Sequence, residues 1–132
     1  MELHPYLQQS SWVAAHKALG IAVTAYSPLA HSNASQDFPP PLLKNEVLVE
    51  IAKDVNCTTA QVAISWALSR DMSVIPKSSH EKYIVENFKA AKCDLSIEHL
   101  TRISLIDSKY VTRFINPSKS WGVKLFEGLD GA

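Results

Sequence analysis

Ser73-Val74-Ile75-Pro76-Lys77-Ser78-Ser79-His80-Glu81 is the stretch on which the fold turns. A short apolar run ends in a proline, a lysine and two hydroxyls. A helical pattern then starts at once, with Tyr83, Ile84, Asn87, Phe88 and Ala91 at helical spacing. The stretch predicts a strand, a tight polar turn and a helix N-terminus, with one cation at the turn. Backbone N–H groups in the first turn of a helix are unpaired and carry partial positive charge. Together with Lys77 they make a natural phosphate cradle. The plainer alternative is an ordinary βα connection with a surface lysine, and local chemistry divides evenly between the two. Ser78 and Glu81 also have the spacing of a capping box.

Fifty residues upstream, Ile21-Ala22-Val23-Thr24-Ala25-Tyr26-Ser27-Pro28-Leu29 reads as a second short strand ending in polar residues and a proline. Two such strands, each followed by helices, predict a parallel sheet. Ligands in these folds sit at the carboxyl ends of the strands.

The segments between them fit that reading. Met1 to Leu7 reads as the end of a strand and its exit loop. His4 precedes Pro5 and is biased to extended backbone; so near a core it must be bonded within its loop. Ser10 or Ser11 is placed to cap a helix to Leu19, with Gly20 as its stop. Ala30 to Leu43 is a loop ending in Pro39-Pro40-Pro41, which forbid a helix there. Val47, Leu48, Ile51, Ala52 and Val55 form a helical stripe that Asn56 ends. Thr58 to Gln61 matches a capping box, and Trp66 lies on the inner face of the next helix. Asp71 breaks that helix before the Met72–Ile75 strand. Ser96 caps a further helix, with Ile97, Leu100, Ile103 and Ile106 on its inner side. From Val111 the chain has no clear period.

Several features taken together now point to a family. Glu2-Leu3-His4-Pro5-Tyr6-Leu7, Thr24-Ala25-Tyr26-Ser27-Pro28-Leu29, Thr59 to Leu68, and Ile75-Pro76-Lys77-Ser78 with Glu86-Asn87-Phe88 occur in one order and spacing. In this the chain resembles the aldo-keto reductases, NADP-dependent carbonyl reductases on an eight-stranded (β/α) barrel. The resemblance covers about residues 1 to 110, a partial barrel; residues 111 to 132 are similar to the C-terminal loop that shapes the substrate pocket. The expected fold is therefore α/β: the C-terminal portion, about the last three βα units, of a (β/α)8 TIM barrel. At 132 residues the chain is about half of the roughly 250 usual for such a barrel.

The resemblance implies a role for each matched residue. Tyr26 would stack on the nicotinamide, a flat aromatic against a flat cationic ring. Ser27 and Leu29 would contact the pyrophosphate, over which the Ala30–Leu43 loop folds. Lys77 and Ser78 would hold the 2′-phosphate of NADP, and Glu86 and Asn87 the adenine edge. Phe114 and Trp121 are the substrate-pocket candidates. One position departs from the family: Tyr83 stands where NADP-preferring members carry an arginine. A phenol has neither the charge nor the fork of a guanidinium. A weaker preference for NADP over NAD is expected.

The family's catalytic aspartate, tyrosine, lysine and histidine belong to earlier strands, so no residue here is assigned to catalysis. His4 is not promoted to that role. The expected function is a fragment or truncated form of an NAD(P)H-dependent reductase of aldehydes and ketones, silent by itself. The alternative is a non-enzymatic nucleotide-binding or regulatory half-barrel. It would associate with itself or with a full-length relative through the open barrel edge. A small carbonyl substrate enters only if the barrel is completed.

Composition agrees. Hydrophobic residues are 46%, charged residues 20% and net charge zero, which favours no nucleic-acid or membrane partner. No basic, apolar leader is read at Met1, and no apolar run approaches the ~20 residues of a membrane span. Cys57 and Cys93 are too few and too distant for a disulfide scaffold or zinc site, so reduced thiols in the cytoplasm are expected. The G-x-G-x-x-G, Walker, H-E-x-x-H and G-x-S-x-G patterns are missing. This disfavours a Rossmann enzyme, a phosphate-loop enzyme, a zinc protease and a serine hydrolase.

Overall fold

The computed structural model describes residues 1–30 and 39–126. Its centre is a pair of short parallel strands, β1 (Thr24–Tyr26) and β2 (Ser73–Ile75), in register Thr24 to Ser73, Ala25 to Val74 and Tyr26 to Ile75. Residues 1–3 run parallel on the other side of β1. The Leu3 N–H donates to the Tyr26 carbonyl (3.2 Å) and the Tyr26 N–H to the Met1 carbonyl (3.0 Å). Three parallel segments thus lie side by side, as expected, though both strands are shorter than the apolar runs that announce them.

Each segment is followed by helix. Helix α1 (Ser10–Ala18) follows the first, α2 (Glu46–Asp54) and α3 (Thr59–Ser69) follow β1, and α4 (Glu81–Phe88) follows β2. Two later helices, α5 (Ile97–Ser104) and α6 (Asp107–Tyr110), a short α7 (Ser118–Trp121) and two 3-10 turns, Leu42–Lys44 and Lys89–Lys92, complete the described elements. The tail from Val111, expected to be aperiodic, therefore carries one helical turn, α7. The core joins Leu3, Tyr6 and Ala25 to Leu48, Ile51, Val62, Trp66 and Ile103. Trp66 is 2% exposed, with the Arg70 guanidinium 4.7 Å over its ring. Among the described residues no helix is long and apolar enough to cross a membrane.

Local signals explain most boundaries. Thr58 accepts from the Gln61 N–H while the Gln61 side chain takes the Thr58 N–H, so the box at the start of α3 is complete. Asn56 and Asp71 turn the chain at φ 53° and 60°, and Gly20 at 69°, the left-handed region such residues tolerate best. Asn45, which the sequence reading passed over, caps α2 by accepting from Val47 and Leu48.

Some expectations are corrected. Gln9 precedes α1 in the left-handed region and no side chain caps that helix, so neither Ser10 nor Ser11 does. Ser78 does not box with Glu81: its hydroxyl is turned to His80, whose N–H it accepts at 3.1 Å, and α4 starts only after His80. Ile97 is 84% exposed because α5 begins there, pointing away from the core that Ile103 and Ile106 join. Cys57 and Cys93 are joined in a disulfide. They are 36 positions apart, yet α3 and the returning chain after α4 bring their Cα atoms to 6.3 Å, within bonding range.

Candidate functional site

The strand register places the nominated residues. Tyr26 pairs with Ile75 at the carboxyl ends of β1 and β2, and Lys77 follows two residues later. Tyr26 and Lys77 therefore leave the same end of the parallel pair. That is the end at which parallel folds hold ligands. Just beyond Tyr26 the chain folds tightly: Ser27 has φ 52° and Ala30, φ 57°, donates its N–H to the Ser27 carbonyl at 2.9 Å. A left-handed serine costs energy, of order 1–3 kcal/mol, and such strain collects where a chain must meet a ligand closely. Nothing in the residue types signals it. Leu29 is half-buried against the core. The tip of the loop expected over the pyrophosphate, residues 31–38, lies outside the described residues.

On β2's side, Lys77, Ser78 and Asn87 line one surface hollow of about 510 Å³, with Pro76, Ile84 and Phe88 as its apolar wall. Lys77 is exposed and, among the described residues, has no acidic partner, so its charge faces solvent. Above it, α4 opens with His80 at the cap and no side-chain bond to the first turn. Unpaired N–H groups, partial positive charge and an ammonium thus share one rim, which suits an anionic phosphate.

Glu86 is set apart. It lines a neighbouring hollow of about 550 Å³ with Gln61, Glu81 and Lys82. One carboxylate oxygen accepts from the Thr58 hydroxyl at 2.7 Å, and the Gln61 amide donates to the Glu86 carbonyl at 3.0 Å. The start of α3 therefore fixes α4 at Glu86. Tyr83, where an arginine was looked for, is exposed; Lys82 lies 5.9 Å over its ring and His80 5.7 Å from it. A further hollow of about 420 Å³ lies between α2 and α5 and is lined by Lys44, Glu46, Arg102 and Lys109; none of the nominated residues lines it.

The substrate-pocket candidates lie elsewhere. Trp121 closes α7 and is 68% exposed. Phe114 is half-buried, its ring 5.4 Å from His4. Its N–H and that of Ile115 both donate at 2.8 Å to the buried carboxylate of Glu2. His4 Nε2 bonds the same carboxylate at 3.0 Å, so His4 is held within its own loop. Burial pushes the Glu2 pKa up, but the bonds from His4, Phe114 and Ile115 outweigh it and hold the carboxyl below its ordinary value.

The sequence model of the aldo/keto reductase family matches residues 1–108. The chain is 35% identical over 127 residues to the NADP-dependent D-sorbitol-6-phosphate dehydrogenase of Malus domestica, covering 95% of this chain and 40% of that protein. It is 37% identical over 123 residues to the NADPH-dependent D-xylose reductase of Meyerozyma guilliermondii, covering 89% of this chain and 38% of that one. The solved structure of the aldose reductase of Giardia lamblia superposes with a TM-score of 0.84 at 33% identity. That match covers 96% of this chain and 42% of that structure's. The chain thus spans about two fifths of the length of these three relatives and less than a third of some others it matches.

Proposed function

The chain belongs to the aldo/keto reductase family, and from that premise we propose that it is the cofactor-holding C-terminal part of an NADP-dependent carbonyl reductase. Such an enzyme moves hydride from the nicotinamide to an aldehyde or ketone and leaves an alcohol. In this reading Tyr26 backs the nicotinamide, and Ser27 and Leu29 meet the pyrophosphate. Lys77 and Ser78 take the 2′-phosphate, Asn87 and Glu86 the adenine. Phe114 and Trp121 belong to the tail beside the substrate.

The observation that carries the reading is the shared hollow of Lys77, Ser78 and Asn87 beneath the uncapped start of α4. It lies at the strand end from which Tyr26 also emerges. The named NADP-dependent relatives support the choice of cofactor. Hydride comes from the cofactor, but a positioned side chain must protonate the carbonyl oxygen. No residue of this chain is assigned to that task, so the 132-residue polypeptide binds cofactor and does not reduce carbonyls by itself. A cytoplasmic setting goes with the family reading, and the Cys57–Cys93 bond, where reduced thiols are expected, argues against it.

NADPH titration, followed by the fluorescence of Trp12, Trp66 and Trp121, tests it. Wild type binds, and Lys77→Ala weakens NADPH by roughly tenfold or more while NADH changes little. A charge-assisted hydrogen bond contributes about 1.5–3 kcal/mol, and NADH lacks the phosphate. Equal loss for both cofactors would remove Lys77 from the 2′-phosphate. Cofactor-dependent reduction of an aromatic aldehyde by the chain alone would overturn the silent-fragment reading.

A second reading rests on the exposed apolar wall of this hollow and the open edge of β2 next to it. Ile75, Ile84 and Phe88 are exposed on β2 and α4, and Phe88 is 86% exposed. A non-enzymatic half-barrel that pairs with a second copy or a full-length relative would cover them.

A further inference from the structure

The Cys57–Cys93 disulfide joins the turn before α3 to the chain that leaves α4. What else holds α4 is slight. None of its residues is buried. Its described anchors are the Thr58 and Gln61 bonds to Glu86, the bond from the Ser65 hydroxyl to the Cys93 carbonyl at 2.8 Å, and Ala90, buried in the Lys89–Lys92 turn that continues the helix. Both ends of the disulfide lie beside those anchors: Cys57 precedes Thr58, and Cys93 is the residue Ser65 holds. The two sulfurs differ in access. Cys93 is buried, whereas Cys57 is half-exposed and lines an open hollow of about 500 Å³ with Lys53, Asn56 and Thr58.

We infer that this disulfide is a redox-sensitive clamp on α4, opened by a dithiol reductant that enters at Cys57. One thiolate of the reductant attacks Cys57 Sγ, the S–S bond breaks, and Cys93 leaves as a thiolate that takes up a proton. The reductant's second thiolate then displaces Cys57 from the mixed disulfide. The protein gains two electrons and two protons, and the dithiol becomes a disulfide. With the bond open, α4 keeps its hydrogen bonds to α3 and the buried Ala90 in the turn after it, loses its covalent tie, and moves more freely. The helix carries Glu86 and Asn87, so opening weakens cofactor binding. That last consequence rests on the cofactor reading above; the clamp itself does not.

The test uses the 132-residue chain, air-oxidised or treated with dithiothreitol, with free thiols counted in each state. Amide exchange is measured over α4, α3 and β1, and NADPH binding is titrated in parallel. Reduction is expected to release two thiols and speed exchange in α4 by roughly tenfold or more, with α3 and β1 little changed. NADPH affinity is expected to fall at least about threefold. The double variant Cys57→Ser, Cys93→Ser should match the reduced chain in either buffer. Two free thiols in the oxidised chain would overturn the clamp, as would unchanged α4 exchange after reduction. Exchange rising alike in α3, β1 and α4 would also overturn it, since the bond would then staple the whole fold. A responsive α4 with no NADPH binding in either state would uphold the clamp and remove the cofactor reading instead.

Discussion

At the scale of single residues, Glu2 shows how a buried charge is tolerated. Its carboxylate accepts from His4 and from two backbone N–H groups of the tail, and Arg113 lies 3.9 Å away. These partners keep its folded pKa below the unfolded value despite burial. The stability it contributes is therefore complete above the ordinary glutamate value of 4.5 and is lost as pH falls through the lower folded value. Glu2→Gln should lower stability by about 1–3 kcal/mol at pH 7, because one acceptor becomes a donor facing donors. Thermal melts across pH should show the gap between variant and wild type closing in acid. A gap independent of pH would mean that shape and not charge is at work. Tyr83 poses the converse question, a cation missing from an exposed site. Tyr83→Arg should raise the preference for NADPH over NADH by about tenfold, the usual effect of one added charge-assisted bond. An unchanged ratio by titration would show that Lys82, stacked over Tyr83, already supplies that charge.

At the scale of elements, the box at Thr58 joins two tasks. It closes the start of α3 and passes its hydroxyl to Glu86 on α4. Thr58→Ala should cost about 1 kcal/mol as a lost cap. It should also speed exchange of α4 amides, which a cap acting on α3 alone would not do. Elements of this kind were legible in the sequence because both partners sit within one helical turn. Thr58 with Gln61, Ser96 capping α5, the turns at Gly20, Asn56 and Asp71, and Trp66 facing inward all depend on near neighbours. The box read at Ser78 failed on an equally local competitor, since His80 offers its N–H one residue sooner than Glu81 does. What stayed out of sight is set by distance along the chain. The Glu2 anchorage of Phe114 and Ile115 spans more than a hundred residues, and the Cys57–Cys93 bond depends on how α4 returns along α3. The nominated site is in the same position: pattern matching named Lys77, Ser78, Glu86 and Asn87 together, but only the packing of α4 puts Glu86 in a different hollow from the other three.

At the scale of the whole molecule, the sheet is covered on one side only. β1 has neighbours on both sides, whereas β2 pairs with β1 alone among the described residues. The other edge of β2 is unpaired, and Ile84 and Phe88 leave an apolar face beside it on α4, on the side to which Val74 points; Ile75 is exposed on the opposite face. Parallel strands are normally paired on both edges and covered on both faces. An edge with an apolar flank is a template for another chain. The 132-residue polypeptide should therefore self-associate as concentration rises. Each large apolar side chain buried there would contribute roughly 1.5–3 kcal/mol, enough for micromolar pairing once two or three are covered from each copy. Sedimentation velocity should resolve a discrete oligomer, and Phe88→Asp should return it to monomer, because an aspartate cannot be buried unpaired. Phe88 makes no part of the buried core, so the variant should melt within a few degrees of wild type. An oligomer that survives Phe88→Asp would place the contact on some other face, and a wild type that stays monomeric at high concentration would leave β2's edge guarded by solvent alone.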